Sequence, residues 1–234
     1  MDFKGFLDSL GDTYTVKNIL TENKNKKAVR MTHRTLGRDL FVKLVPDDPE
    51  FCRFLCGIRH RSLPEVYDIY ELSDGYAVLE EFIDGTTVGE IIKTGLYNYA
   101  GAKKVMLQIC DALQLMHDNG FVHRDIKPEN IMIKDGGDAK LVDFDASRRF
   151  SVSKSSDTHV LGTVGYAPPE QYGVTQSDGR SDIYAAGVLL NVMLTGSHPS
   201  NKLASGHAGR IIAKCTQINP DLRYQTIEKF GRSL

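Results

Sequence analysis

The stretch that decides the fold reads His123-Arg124-Asp125-Ile126-Lys127-Pro128-Glu129-Asn130, and Asp143-Phe144-Asp145 begins thirteen residues after Asn130. These side chains are of the types that hold a phosphoryl group in place. The carboxylate of Asp125 can accept a proton from an attacking hydroxyl. Asn130 and Asp143 offer two hard oxygens for a cation such as Mg²⁺.

A hairpin is predicted between these two motifs. Residues 131–133 and 140–142 form two short runs with strand character, and Asp135-Gly136-Gly137-Asp138 lies between them as a strong turn signal. A hairpin of this length brings Asp143 back beside Asn130, so that both can bind one ion. A plain polar loop is the alternative, but it does not require these residue types at this spacing.

The two motifs resemble the catalytic loop of eukaryotic-like protein kinases, H-R-D-x-x-x-x-N, followed by a near match to their metal-binding D-F-G. Lys127, two residues after the candidate base, is the form seen in the serine/threonine branch. The resemblance extends from about Tyr14 to Arg223 and is stronger after residue 76. It implies an α+β, protein-kinase-like bilobal fold, with a small N-terminal β-sheet lobe carrying one short helix and a larger, mainly helical C-terminal lobe.

The same resemblance implies one compact kinase domain over residues 1–234. Its N-terminal lobe would cover about 1–80, its hinge about 80–85 and its C-terminal lobe about 86–234. Strands are expected near 14–16, 28–32, 39–45, 62–71 and 75–80. Before them, residues 1–13 form an amphipathic segment, which we expect to dock along the first sheet.

The composition is that of an ordinary soluble protein, with 41% hydrophobic residues, 25% charged residues and a net charge of −1. This balance gives no electrostatic argument for a nucleic-acid or anionic-membrane partner. No run has the length of a membrane span, and the N-terminal residues lack the pattern of a signal peptide. The four cysteines form no C-x-x-C pair, so we expect reduced thiols and a cytoplasmic location.

Lys43 is the only charged residue inside the third predicted strand, and it matches the kinase lysine that contacts the α- and β-phosphates of ATP. In the family a glutamate of the next helix pairs with that lysine. Glu50 is the candidate, although it lies one position early. A helix N-terminal acid, favoured by the helix dipole, is the other interpretation of Glu50.

The turn that covers the nucleotide phosphates in the family is rich in glycine, but residues 20–28 contain none. After the fifth strand, the resemblance identifies residues 80–85 as the hinge. It implies that the backbone near Glu80 and Phe82 bonds the adenine, that Leu79 is the gatekeeper behind it, and that Asp84 reaches the ribose.

Helices are predicted at 88–94 and 100–119, and a central buried helix at 181–190, with Ser181 and Asp182 as its caps. The resemblance implies that Asp182 also bonds the backbone of the catalytic loop. His117 and His123 are expected to be packed structural residues.

Residues 146–162 are rich in hydroxyls and resemble the activation segment of kinases, whose phosphorylated residues can pair with Arg124. Thr163 would lie beside the catalytic loop. Glu170 would pair with Arg223 in a structural role.

We interpret the chain as a serine/threonine protein kinase of bacterial type that transfers the γ-phosphoryl group of Mg²⁺-ATP to protein hydroxyls, including its own. Asp125 and Lys127 would be catalytic, and Asn130 and Asp143 would hold the metal. The alternative is a pseudokinase acting as a nucleotide-binding or scaffold module, and a small-molecule kinase is a third. The sequence leaves the protein substrate, the regulator and the oligomeric state open.

The pseudokinase alternative draws on the glycine-free turn, the offset Glu50 and one further departure, Asp145. In the family that position is glycine, which adopts positive φ without strain. Asp is among the few other residues that tolerate the left-handed region, so we expect aspartate to be tolerated at position 145 and Asp145→Gly to change the rate by less than about tenfold.

Overall fold

Five antiparallel strands organise the first third of the chain. They are β1 (Tyr14–Glu22), β2 (Lys27–His33), β3 (Asp39–Val45), β4 (Val66–Leu72) and β5 (Gly75–Glu81), in the order β1-β2-β3-β5-β4. The five predicted strands are confirmed, although β4 begins four residues later than predicted. The turn between β4 and β5 requires glycine, because Gly75 has φ 138° and a Cβ there would lie 2.4 Å from the carbonyl oxygen of Val45.

The computed structural model describes residues 1–22, 27–150, 165–172 and 177–234. They divide into two compact units: unit 1 is Met1–His60 with Pro64–Ile83, and unit 2 is Arg61–Leu63 with Asp84–Leu234. The first unit contains the sheet and the second contains most of the helices, which confirms the predicted α+β fold class. The boundary between Ile83 and Asp84 falls within the predicted hinge, while the single-domain organisation stays a prediction.

The amphipathic N-terminal segment forms a helix of its own, α1 (Phe3–Ser9). Asp2 caps it by accepting a hydrogen bond from the backbone of Gly5, and the backbone of Phe3 donates to Asp74 at 3.0 Å. Phe3 and Phe6 are buried in one apolar cluster with residues of β2, β3 and β5. The predicted docking of this segment on the sheet is therefore confirmed, and unit 1 contains it in addition to the short helix α2 (Glu50–Leu55).

Unit 2 is built on two long helices. Its helices are α3 (Val88–Thr94), α4 (Tyr99–Asp118), α5 (Gly179–Thr195), α6 (Gly206–Cys215) and α7 (Ile227–Ser233). The apolar stripe of α4 is buried as predicted, and α5 is buried on nearly all sides. The predicted caps of α5 are wrong: Asp178 is the N-cap, and Ser181 and Asp182 lie inside the first turn.

Short strands position the site residues of unit 2. β6 (Gly85–Thr87), β8 (Ile131–Lys134) and β9 (Ala139–Leu141) form one small sheet, and β7 (Phe121–Val122) pairs with β10 (Arg148–Arg149). β8 and β9 are the predicted hairpin, with Ile131 opposite Leu141. Gly136 and Gly137 both have positive φ, as this turn requires.

No helix within the described ranges is long and apolar enough to cross a membrane. The four cysteines are free thiols, and Cys110 and Cys215 are buried in unit 2. Burial raises the pKa of Cys110 to about 12, so this thiol stays protonated near neutral pH.

Candidate active site

The predicted catalytic loop, residues 123–130, follows β7 in unit 2 and leads through a short 3₁₀ turn, Pro128–Asn130, into β8. Its first residues are buried, and Arg124 adopts a left-handed backbone conformation with φ 71°. Such a conformation is strained for a residue other than glycine, asparagine or aspartate, and it persists only where neighbouring contacts hold it.

Asp182 on α5 supplies those contacts. Its carboxylate is fully buried and accepts hydrogen bonds from the backbone N–H groups of His123 (2.9 Å) and Arg124 (2.8 Å). The Nε2 atom of His117 lies 2.9 Å from the same carboxylate. The bonding of Asp182 to the loop backbone, which the resemblance implied, is confirmed, and His117 is a packed structural residue as predicted.

Burial alone would raise the pKa of Asp182. The hydrogen bond and charge of His117, with further contributions from His123 and the backbone of Arg124, outweigh burial and hold this pKa below its usual value. Asp182 is therefore ionised at neutral pH and serves as a fixed acceptor for the loop. Gln171 holds the loop from another side, because its Nε2 donates to the carbonyl oxygen of Arg124 at 2.8 Å.

Three predicted site residues come together at the end of the loop. The Nζ atom of Lys127 lies 2.7 Å from Oδ2 of Asp125, and the amide Nδ2 of Asn130 donates to the same oxygen at 3.0 Å. That amide also donates to the carbonyl oxygen of Asp125 at 2.8 Å. The side chains of Asp125 and Lys127 keep 15% and 20% of their surface exposed, so a substrate hydroxyl can reach them.

The hairpin aligns Asp143 with Asn130, because the backbone N–H of Val142 donates to the carbonyl oxygen of Asn130 at 2.9 Å. Since the Asn130 amide nitrogen bonds Asp125, its oxygen is the remaining hard ligand of that side chain. Asn130 and Asp143 thus fit the donor set that Mg²⁺ prefers. Among the described residues, no group of three or more His, Cys, Asp or Glu side chains could hold a metal ion.

The tolerance of aspartate at position 145 stays a prediction. The left-handed position in this motif is Asp143, with φ 64°, while Asp145 is not among the described residues with positive φ. The backbone N–H of Asp145 instead lies 3.4 Å from Oδ1 of Asp143. An aspartate at 145 therefore needs no left-handed backbone conformation, which removes this argument for an impaired site.

His123 packs inside unit 2 and does not face solvent. It is fully buried, its ring stands edge-on to Phe144 with centroids 5.5 Å apart, and its Nδ1 accepts from the backbone of Asp125 at 3.3 Å. Burial lowers the pKa of this imidazole despite the nearby carboxylates. The predicted structural role of His123 is confirmed.

Lys43 lies in the middle of β3 and is only 7% exposed. Across the sheet it faces Ala28 on β2 and Val78 on β5. Glu50 lies in the first turn of α2 and is exposed, the placement that the helix dipole favours for an acid. The pairing of Glu50 with Lys43 stays a prediction.

The sheet register places the predicted gatekeeper Leu79 and the first predicted hinge residue, Glu80, on opposite faces of the sheet. Directly opposite residues share a face of a sheet, and the face alternates along each strand. Leu79 faces Val42, so it lies on the opposite face from Lys43, in the apolar cluster beneath α1. This placement does not support Leu79 as the gatekeeper.

Glu80 takes the position on the Lys43 face. It is buried and lies opposite Phe41 in the register. Phe82 follows β5 and is partly exposed, and the exposed Asp84 is the first residue of the second stretch of unit 2. Their adenine and ribose contacts stay predictions.

The predicted ion pair between Glu170 and Arg223 is confirmed. Nη1 of Arg223 donates to Oε1 of Glu170 at 2.6 Å and Nη2 donates to Oε2 at 3.0 Å, with both residues buried. The hydroxyl of Ser181 donates to the same carboxylate. This cluster connects the segment before α5 with the segment before α7.

Part of the predicted site lies outside the described residues. These positions are residues 23–26 of the glycine-free turn, residues 151–164 of the predicted activation segment, and with them Thr163. Two contacts, by contrast, were not predicted from the sequence: the bond from Gln171 to Arg124, and the stacking of Arg30 on Phe82. Both join residues distant in sequence and carry no local signal.

The chain belongs to the protein kinase domain family, whose pattern matches residues 50–233. The chain is 31% identical over 210 residues to a probable serine/threonine-protein kinase PknB of Corynebacterium glutamicum, covering 81% of this chain and 32% of that protein. It is 38% identical over 209 residues to a probable serine/threonine-protein kinase of Corynebacterium efficiens, covering 81% of this chain and 32% of that protein. It is 30% identical over 267 aligned positions to the serine/threonine-protein kinase PknB of Mycobacterium tuberculosis, covering 96% of this chain and 43% of that protein.

The chain therefore spans roughly a third to two fifths of the length of these curated relatives. The family membership confirms the resemblance drawn from the catalytic loop.

Proposed function

We propose that the chain is an active serine/threonine protein kinase domain that uses Mg²⁺-ATP. The observation that carries this proposal is the bonding of Asp125 by both Lys127 and Asn130, on a loop that Asp182 anchors. The relatives named as serine/threonine-protein kinases support the same activity. Phosphoryl transfer depends mainly on positioning and charge stabilisation, which is what such a fixed constellation provides.

In the proposed reaction, the oxygen of a protein Ser or Thr hydroxyl forms a bond to the γ-phosphorus of ATP. The bond between that phosphorus and the β–γ bridging oxygen breaks, and ADP leaves. Asp125 orients the hydroxyl and accepts its proton. Lys127, bonded to Asp125, neutralises negative charge on the transferred group.

The other residues would bind the nucleotide. Lys43 would contact the α- and β-phosphates, with Glu50 as its candidate partner, and the backbone of Glu80 and Phe82 would bond the adenine. Asp84 would reach the ribose. When bound by Asn130 and Asp143, Mg²⁺ supplies positive charge that neutralises the phosphate oxygens.

The proposal also places the domain in the cytoplasm, where ATP is available and thiols such as its four free cysteines stay reduced. Its partners would be ATP and a protein substrate. Net charge −1 gives no reason to add a nucleic acid.

Incubation of the purified protein with Mg²⁺ and γ-labelled ATP tests the activity. We expect label on serine or threonine, in the protein itself and in an added general substrate, with mass spectrometry mapping self-modification to residues 147–163. Label on tyrosine alone would contradict the assigned class. ATP binding without any transfer would favour the pseudokinase alternative.

The metal role of Asp143 is tested by Asp143→Asn. A charged ligand oxygen becomes neutral, so we expect the extra stabilisation that Mg²⁺ gives to the ATP complex to fall by roughly 1.4 kcal/mol, a tenfold weaker site. Thermal melting with ATP, with and without Mg²⁺, measures this difference. Asp135→Asn makes the same exchange at an exposed residue of the hairpin turn, and this variant should keep the wild-type stabilisation by Mg²⁺.

A wild-type protein whose ATP complex gains nothing from Mg²⁺ would show that Asn130 and Asp143 do not form the metal site.

A further inference from the structure

The guanidinium group of Arg30 lies over the aromatic ring of Phe82. Its central carbon is 4.1 Å from the ring centroid, within the range of an attractive cation–π contact. Arg30 belongs to β2, and Phe82 is the first residue after β5, inside the predicted hinge. The contact therefore joins the hinge to a strand two positions away in the sheet.

Arg30 is itself held in place by Asp39, at the start of β3. The Nε atom of Arg30 donates to Oδ2 of Asp39 at 2.8 Å, and Nη2 donates to the same oxygen. The hydroxyl of Thr32 bonds the other carboxylate oxygen. Burial would raise the pKa of Asp39, but these hydrogen bonds lower it below its usual value, so the carboxylate remains a charged partner for Arg30.

The backbone beside Phe82 is held by Glu65, the residue that precedes β4. The backbone N–H of Glu81 donates to the carbonyl oxygen of Glu65 at 2.8 Å, and the N–H of Glu65 lies 3.3 Å from the Glu81 carboxylate. Phe82 therefore follows a fixed strand end, and its partly exposed ring is covered by the guanidinium of Arg30.

Arg30 also lies on the functionally relevant face of the sheet. It is opposite Phe41 in the register, and Ala28, two residues earlier on β2, is opposite Lys43. Alternate residues of a strand share a face, so Arg30, Lys43 and Glu80 project from the same side. By the proposed function, that side takes the nucleotide.

We propose that Arg30 is a positioning residue for the adenine base: by holding the ring of Phe82, it fixes the hinge backbone that selects adenine. The inference rests on the proposed function. Hydrogen bonds that distinguish one base from another weaken when their donors and acceptors are displaced by a small distance. A less rigid hinge therefore lowers the affinity for adenine more than the affinity for a base that does not match these hydrogen bonds. In the proposed function, Lys43 and the metal ligands bind the phosphates, and Arg30 is not assigned to them.

The test compares Arg30→Met with the wild type in calorimetric binding of Mg²⁺-ATP and Mg²⁺-GTP. Methionine keeps much of the apolar stem but removes the cation. We expect the ATP dissociation constant to rise about fivefold or more, the range of a lost cation–π contact, while that for GTP changes less, so the ratio of the two affinities falls. In assays, KM for ATP should rise while kcat changes little.

Two further variants sharpen this result. Lys214→Met removes an equal charge and another cation–π contact, that of Lys214 with Tyr224 at 4.4 Å, and should keep the wild-type ratio. Arg30→Lys keeps a cation but loses the forked contact with Asp39. We therefore expect its affinity for ATP to lie between those of the wild type and Arg30→Met, and its affinity for GTP to stay unchanged. Arg30→Lys also carries the test if Arg30→Met does not fold.

An unchanged ratio in both Arg30 variants, or an equal loss of ATP and GTP affinity, would overturn the inference and leave the proposed kinase activity intact. A wild-type protein that binds no adenine nucleotide would overturn the proposed function, and the inference with it.

Discussion

Replacement of Asp125 by asparagine is expected to slow phosphoryl transfer by about 10²–10⁴-fold while the protein stays folded. Asparagine has nearly the same shape, so it can keep contacts to Lys127 and Asn130, but it cannot take up the proton of the substrate hydroxyl. Rates of label transfer from γ-labelled ATP measure the loss. Affinity for Mg²⁺-ATP and the melting temperature should change little, because Asp125 is assigned neither to the nucleotide nor to the core.

Asp135→Asn is the matched control, since it makes the same exchange at an exposed position of the hairpin turn. We expect it to transfer label at the wild-type rate. Transfer at the wild-type rate by Asp125→Asn would show that Asp125 is not the base. A collapse of folding in that variant would instead reveal a structural role for this carboxylate.

The catalytic loop and the hairpin could be predicted because their information is local. The motif residues lie within eight positions of one another, and the double glycine of the turn requires a hairpin that returns Asp143 to Asn130. The bond from Val142 to Asn130 follows from that register. Patterns of this kind need no knowledge of distant parts of the chain.

Other features could not be predicted because they depend on tertiary context. The N-terminus of α5 is set by the cap at Asp178, and nothing in the sequence distinguished this residue from Ser181 or Asp182. The side of the sheet on which Leu79 lies depends on pairing register, and a shift of one residue reverses it. The contact of Arg30 with Phe82 likewise appears only when three strands are assembled.

The positions of the left-handed residues could not be predicted for a similar reason. Family resemblance pointed to position 145, where glycine is usual, but the left-handed residues in the described chain other than glycine are Arg124 and Asp143. Asp143 carries the proposed chemistry and Arg124 flanks it. For the arginine this conformation is strained, and it persists where the surrounding structure enforces it. For Arg124, the enforcing group is identifiable as Asp182.

Asp182→Asn is expected to lower the free energy of unfolding by about 3–5 kcal/mol, the usual loss when one partner of a buried charged network is removed. The carboxylate lies within hydrogen-bonding distance of three nitrogens: the backbone N–H groups of His123 and Arg124, and Nε2 of the His117 ring. An amide has one acceptor oxygen, so its NH₂ group must face at least one of these donors. Urea unfolding measures the loss, and melting should fall by about 6–20 °C.

The site-specific consequence is a released catalytic loop. In Asp182→Asn, hydrogen exchange at the amides of His123 and Arg124 should accelerate more than at the α4 core, and the rate of phosphoryl transfer should fall with it. Asp118→Asn is the control, because Asp118 is exposed and accepts one bond from Gln114, and it should cost less than about 0.5 kcal/mol.

The pH dependence of the stability difference between wild type and Asp182→Asn follows from the lowered pKa of Asp182. The contribution of this carboxylate is fully present above the unfolded-state value of 3.8 and is lost as the pH falls through the lower folded-state pKa. The difference should therefore persist at neutral pH and narrow only below about pH 3.8. Equal unfolding free energies of wild type and variant at pH 7, with unchanged amide exchange, would show that Asp182 does not anchor the loop.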